Sequence, residues 1–152
     1  RDAAFGWHTW TWARLQAEKG AGKAYVYYFD LHAPDADGAS HAAEIPFVFR
    51  RLNLLGGFLR KVRPEDQSAS DLMSDYWVQF AKTGDPNRPG LPPWPAFEAN
   101  DAQVMTFDDA PSARALPNLS RMQALEAYYA WRREEARKPR ASAPLGTVPA
   151  AP

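Results

Sequence analysis

Residues 24–31 read Ala-Tyr-Val-Tyr-Tyr-Phe-Asp-Leu, a run of β-branched and aromatic side chains that does not alternate between apolar and polar. A strand with one solvated face alternates, whereas a strand covered on both faces does not. The run therefore predicts a strand of a parallel sheet, buried on both faces, in a chain of α/β class. Behind it comes Ala33-Pro34-Asp35-Ala36-Asp37-Gly38, which is turn chemistry, and then His41. A histidine on the loop at the carboxyl end of a parallel strand stands where such sheets carry their chemistry.

Around this strand the sequence predicts mostly helix. Phe5 to Ala17 carries Phe5, Trp12 and Leu15, with Trp7 and Trp10 beside them, and ends in Glu18-Lys19-Gly20. Residues 42–49 form at most a short helical turn, because Pro46 limits a regular helix. Residues 52–62, with Gly56-Gly57 in the middle, read as an irregular excursion. A helix is predicted from about Pro64 to Thr83: proline at its start, Glu65 and Asp66 in the first turn, and Gly84 as the stop. Leu72, Met73, Tyr76, Trp77 and Phe80 form one apolar stripe along it, which reads as core packing. Asp85-Pro86-Asn87 is a turn, and the proline-rich stretch 89–95 is extended loop in which Trp94 serves as a packing plug. Gln103 to Phe107 is a short strand. A final helix starts near Ser120, where Ser120 and Gln123 fit a capping box. The chain divides into one folded segment, 1–138, and a Pro/Ala-rich tail, 139–152, too poor in apolar residues to fold.

Charge and composition exclude several functions. Lys plus Arg and Asp plus Glu number 18 each, so the formal net charge is zero, which argues against a nucleic-acid partner. No apolar run approaches the ~20 residues of a membrane span. With no cysteine there is no disulfide and no thiolate metal site. His8, His32 and His41 match no compact zinc motif, and Asp35-Ala36-Asp37-Gly38 lacks the remaining ligands of a calcium loop, so neither metal nor cofactor is expected. The chain opens on Arg1, within a predicted helix and without a leader, and the true N-terminus is expected upstream.

His41 is the main candidate for chemistry. Imidazole titrates near neutrality and can take a hydroxyl proton and return it to a leaving group. Spacing alone favours a bystander loop histidine over such a base. Ser40 sits in Gly38-Ala39-Ser40-His41-Ala42, close to a G-x-S-x-G pattern. A nucleophile elbow needs a strand directly before the serine, and Ser40 follows a Pro/Asp/Gly loop; a pocket-lining place beside His41 suits it better. Ala42 is the other candidate substrate contact. Glu44, three residues past His41, could be the carboxylate partner of the imidazole, but reads better as a structural carboxylate near the site, paired with Arg50 or Arg51 or clamping the loop. Asp30, Asp35 and Asp37 are the residues that could orient the imidazole.

The run from Gly38 to Phe49, Gly-Ala-Ser-His-Ala-Ala-Glu-Ile-Pro-Phe-Val-Phe, resembles the histidine motif of type B carboxylesterases, the cholinesterase-like family of α/β-hydrolases. The block Met73 to Asn87, Met-Ser-Asp-Tyr-Trp-Val-Gln-Phe-Ala-Lys-Thr-Gly-Asp-Pro-Asn, resembles that family's helix-and-turn signature, and Trp94-Pro95 follows at the expected spacing. Together with the strand at 24–30, these blocks place most of residues 2–107 in the C-terminal segment of such a fold, one or two strands of the central sheet with their helices. The resemblance implies that His41 is the base of a Ser-acid-His triad. It implies a small-molecule carboxylic ester as substrate, and a serine, an acid and oxyanion-hole glycines lying upstream on the same or a separate chain. Glu44 is then structural, because the family's acid comes earlier. Ala42 departs from the pattern where glycine is common. Relatives without catalysis act as binding or adhesion modules, and the residue in the upstream elbow, serine or instead glycine or alanine, separates the enzyme from them; an inactive truncated product is a further alternative. Export to periplasm or medium is the compartment the resemblance implies. Taken alone, 152 residues of this kind are expected to be inactive and to expose sheet edges that further strands would cover.

Overall fold

The computed structural model describes residues 2–33, 35–57 and 62–138. The tail expected from residue 139 lies outside the described residues, as does part of the 52–62 excursion, whose described start is a 3-10 helix at Leu52–Gly57.

A mixed three-stranded sheet carries helices on both faces. β1 (Tyr27–Phe29) pairs in parallel with β2 (Gln103–Phe107), which pairs antiparallel with β3 (Ser112–Ala115), in the order β1-β2-β3. Helices α1 (Trp7–Lys19) and α4 (Leu119–Arg137) share one face, and α2 (Ile45–Val48) and α3 (Pro64–Thr83) the other. Pleating divides β2 between two cores. Val104 packs with Trp10, Ala13, Phe97 and Met122, while Met105 and Phe107 pack with Phe47, Met73, Tyr76 and Trp94. Covered on both faces, β2 is the fully buried strand of the sheet.

Burial on both faces was expected of the 24–31 run, and there the structure differs. Only Tyr27–Phe29 is regular strand, and it is half-buried. The flanking residues are engaged in other ways: the Ala24 carbonyl accepts from the Phe97 amide at 2.8 Å, and Val26 accepts from the Met105 amide at 3.0 Å and from Trp94 Nε1 at 3.1 Å. β1 is parallel as expected, but among the described residues it has a neighbour only at β2, so its other edge and part of its faces are open. On α1 the buried residues are Trp10 and Ala13, whereas Trp12 is 74% exposed and Phe5 and Leu15 also face outward. The helix thus carries apolar residues on two sides, Trp7, Trp10 and Ala13 toward the described core and Trp12 and Leu15 away from it.

α3 forms over the residues its signals predict. The Arg63 amide donates to Asp66 Oδ2 at 2.7 Å, its guanidinium reaches Asp66 Oδ1 at 3.2 Å, and Pro64 occupies the first turn. Gly84 closes the helix at φ 75, the left-handed cap that glycine adopts without a β-carbon clash. Met73 and Tyr76 are fully buried and Trp77 half-buried, but Phe80 lies 47% exposed at the outer limit of the stripe. In the turn beyond, Asp85 accepts from both the amide and the side chain of Asn87, which hold its carboxyl below the usual carboxylate range. α4 begins one residue before Ser120, at Leu119, and has no capping box. Asn118 caps it in the left-handed region, φ 60, and makes no side-chain cap bond. Ser120 is already inside the helix, where its hydroxyl is past the capping position.

Tyr76 donates to the Pro92 carbonyl at 2.5 Å, and burial pushes its phenol up to about 12 from 10.0. The unfolded chain releases this proton near pH 10, while the folded chain keeps it to about pH 12. The contribution is therefore whole below pH 10 and lost as pH climbs toward 12. Stability is expected to fall by about 2 kcal/mol across that interval from Tyr76 alone, as read by denaturant titrations at pH 9.5 and 11.5. A flat profile would mean that the phenol is solvated.

Candidate active site

β1 ends at Phe29, and the loop that follows brings His41 over a groove of about 860 Å³. Ser40, His41, Ala42 and Glu44 all line it, together with Phe5, Thr9 and Trp12 of the N-terminal helical segment and residues 24–29 in and before β1. The four residues singled out in the sequence are thus brought to one surface.

The loop is held from behind. Phe47 is buried and meets Phe29 at a ring separation of 5.0 Å. Its carbonyl accepts from the buried Ser70 hydroxyl of α3 at 2.8 Å. Arg50 reaches Asp71 at 3.2 Å and Asp75 at 3.0 Å, and Asp75 also takes Arg88 at 2.5 Å. Short α2, with Pro46 in its first turn, is therefore clamped onto α3, and the His41 turn precedes it directly.

His41 itself is exposed. Its ring lies nearly parallel to that of Phe5, and neither ring nitrogen has a hydrogen-bond partner among the described residues. None of the expected aspartates orients it. Asp30 stands 3.8 Å from His32, and Asp35 and Asp37 are exposed in the turn. Ser40 is exposed in the loop with no strand immediately before it, so the elbow geometry is absent.

Glu44 differs from expectation in its partner. Arg50 goes to the α3 aspartates, and Glu44 instead stands beside the Tyr27 phenol. Burial, then the adjacent Glu44 carboxylate, push the Tyr27 phenol up to about 12. Nothing in the sequence signalled the Tyr27 partner, since β1 and the turn are separated by the whole loop. The Asp71/Asp75 pair on one helical face was a readable signal for an arginine and was missed. Among the described residues, no three of His, Asp or Glu come together as a metal-binding group, and no helix is long and apolar enough to cross a membrane.

Ala42 adopts φ 64, where its β-carbon crowds the backbone. Ala42→Gly is expected to stabilise the protein by about 0.5–1 kcal/mol, the relieved clash exceeding the extra freedom glycine brings to the unfolded chain. Urea denaturation of the pair checks this, and a destabilised glycine variant would contradict it.

Residues 1–125 match the carboxylesterase family model. The human cocaine esterase is 33% identical over 103 residues, covering 62% of this chain and 18% of that protein. Phenmedipham hydrolase of Pseudarthrobacter oxydans is 35% identical over 90 residues, 55% of this chain and 18% of its own length. Among solved structures, a Geobacillus stearothermophilus carboxylesterase superposes with a TM-score of 0.60 at 37% identity, covering 74% of this chain and 23% of that one. A thermophilic p-nitrobenzyl esterase superposes with a TM-score of 0.66 at 28% identity over the same shares. The chain thus spans about a fifth of the length of the curated relatives it matches, and its sheet and helices are part of an α/β-hydrolase fold. With the match running from the N-terminal helix through the histidine loop and α3 into α4, the chain belongs to the carboxylesterase family.

Proposed function

We propose that this chain supplies the histidine of a serine carboxylesterase. In this reading, residues 1–138 are the C-terminal segment of the hydrolase domain, and the nucleophilic serine and triad acid lie on polypeptide beyond these 152 residues, in the same or a separate chain. The observation that carries it is the state of His41: on a loop after a parallel strand, over an open groove, with both ring nitrogens free of partners among the described residues. An imidazole that shuttles protons needs one nitrogen for the serine and the other for an acid.

The chemistry follows from that division. The serine hydroxyl attacks the ester carbonyl as His41 takes its proton, and backbone amides hold the oxyanion. The imidazolium returns the proton to the departing alcohol, leaving an acyl-enzyme. His41 then takes a proton from water as the water oxygen attacks the acyl carbon, and hands that proton to the serine oxygen as the acyl bond breaks, which releases the carboxylic acid and restores the serine. Ser40 and Ala42 flank the base as substrate contacts, and Glu44 stands beside Tyr27 as a structural carboxylate of the groove. The substrate is a small carboxylic ester.

With base but no nucleophile, the purified 152-residue chain is expected to hydrolyse p-nitrophenyl butyrate no faster than free imidazole at the same concentration. A burst of p-nitrophenol followed by enzyme-like turnover would contradict the division of the triad.

A further inference from the structure

Phe5 meets His41 face to face, with ring centroids 5.0 Å apart and planes 16° from parallel. Core burial does not explain where Phe5 stands, because it is 57% exposed. It belongs to a π-helical turn, Asp2–Gly6, just ahead of α1, and π-turns concentrate at functional sites. The turn is anchored on α4. Asp2 pairs with Arg121 at 3.3 Å, and Gly6 lies so close to Met122 that an added β-carbon would come within 3.4 Å of its Cε. Phe5 therefore projects from a fixed platform onto the loop carrying His41.

The mode of contact suits a base. Hydrogen bonds would occupy the ring nitrogens, which lie on the ring edge. A stacked aromatic face fixes the plane of the imidazole and leaves both nitrogens free. The other histidines are held differently: His32 has Nδ1 at 2.8 Å from the Ala33 carbonyl, and His8 meets Trp7 edge-on. An aromatic face also attracts a cation above it, so the contact strengthens when His41 carries the proton it has taken. We propose that Phe5 is a positioning residue for His41, holding the imidazole plane over the groove through proton transfer. This rests on the reading of His41 as the triad base.

The test uses the natural polypeptide that carries this segment, with Phe5→Leu, Phe5→Tyr and His41→Gln. Phe5→Leu is expected to lower kcat about tenfold by loosening the base, with a smaller rise in KM because Phe5 also lines the groove, and Phe5→Tyr to restore it. In NMR spectra of the 152-residue chain, the His41 ring protons are expected upfield in the wild type, under the ring current of Phe5, and to move downfield in Phe5→Leu while those of His8 and His32 stay. An unchanged kcat in Phe5→Leu, alongside a dead His41→Gln variant, would overturn the role of Phe5 and leave the base intact. Full activity in His41→Gln would overturn the base reading itself. Should the leucine variant not fold, unshifted wild-type His41 protons or an impaired Phe5→Tyr enzyme would each overturn the proposal.

Discussion

His41→Gln, made in the natural polypeptide that carries this segment, is expected to lower kcat for ester hydrolysis by about 10⁴- to 10⁶-fold with little change in KM. The magnitude is that of losing a triad member. Without the base the serine stays protonated and the alcohol leaves without a proton, and only the oxyanion hole and substrate binding still accelerate the reaction. Structure gives the substitution little else to do. His41 is exposed, makes no hydrogen bond among the described residues and stacks on Phe5, which is itself exposed. Losing such a ring contact costs about 1 kcal/mol, so the variant is expected to fold and melt like the wild type. Steady-state kinetics beside a thermal melt reads both quantities. A variant within tenfold of wild-type kcat would mean that the proton moves elsewhere.

The largest expected loss of stability belongs to Trp94→Ala. Trp94 is buried at the meeting of β1, β2 and α3, with ring separations of 5.1 Å to Tyr76, 5.8 Å to Trp77 and 5.8 Å to Phe107. Truncating a tryptophan in such a setting costs about 3–5 kcal/mol, through lost transfer energy and an unfilled cavity. Lost hydrogen bonding adds to this only slightly. Val26 loses the indole donor but keeps the Met105 amide, and the paired bonds between Asn87 and the Trp94 backbone, 2.7 Å and 2.9 Å, survive truncation. Against a typical domain stability of about 5–15 kcal/mol, the cavity alone brings the protein near its unfolding threshold. Guanidinium denaturation of wild type and variant measures it, and a loss under about 1 kcal/mol would show that the plug is not seated as described.

How much of this was legible in the sequence depends on where the forces lie. α3 was readable from end to end because its start, stripe and stop are local: Pro64, Met73 with Tyr76, and Gly84 each act within a turn or two. β2 was readable as a short apolar run. β3 was not, since Ser-Ala-Arg-Ala has no β-branched or aromatic residue and is strand because β2 offers it a ladder. The apolar residues of α1 announced a helix but not its orientation. Phe5, Trp12 and Leu15 face outward, and which side of a helix is covered depends on what packs there. At the site, the loop that brings Ser40, His41, Ala42 and Glu44 to one surface was legible. Their contacts were not: the Phe5 stack, the approach of Glu44 to Tyr27 and the Ser70 and Asp75 clamps join residues far apart in sequence, and only the tertiary fold brings them together.

The central claim is that His41 works with a reactive serine. Fluorophosphonate labelling of native source material, followed by intact mass and peptide mapping, tests it most directly. The expected result is a labelled serine either on a polypeptide several times heavier than 17.0 kDa that contains this sequence, or on a separate chain that co-purifies with it. A lone, unlabelled 17.0 kDa species, with no labelled partner, would contradict it and leave His41 without a nucleophile to serve.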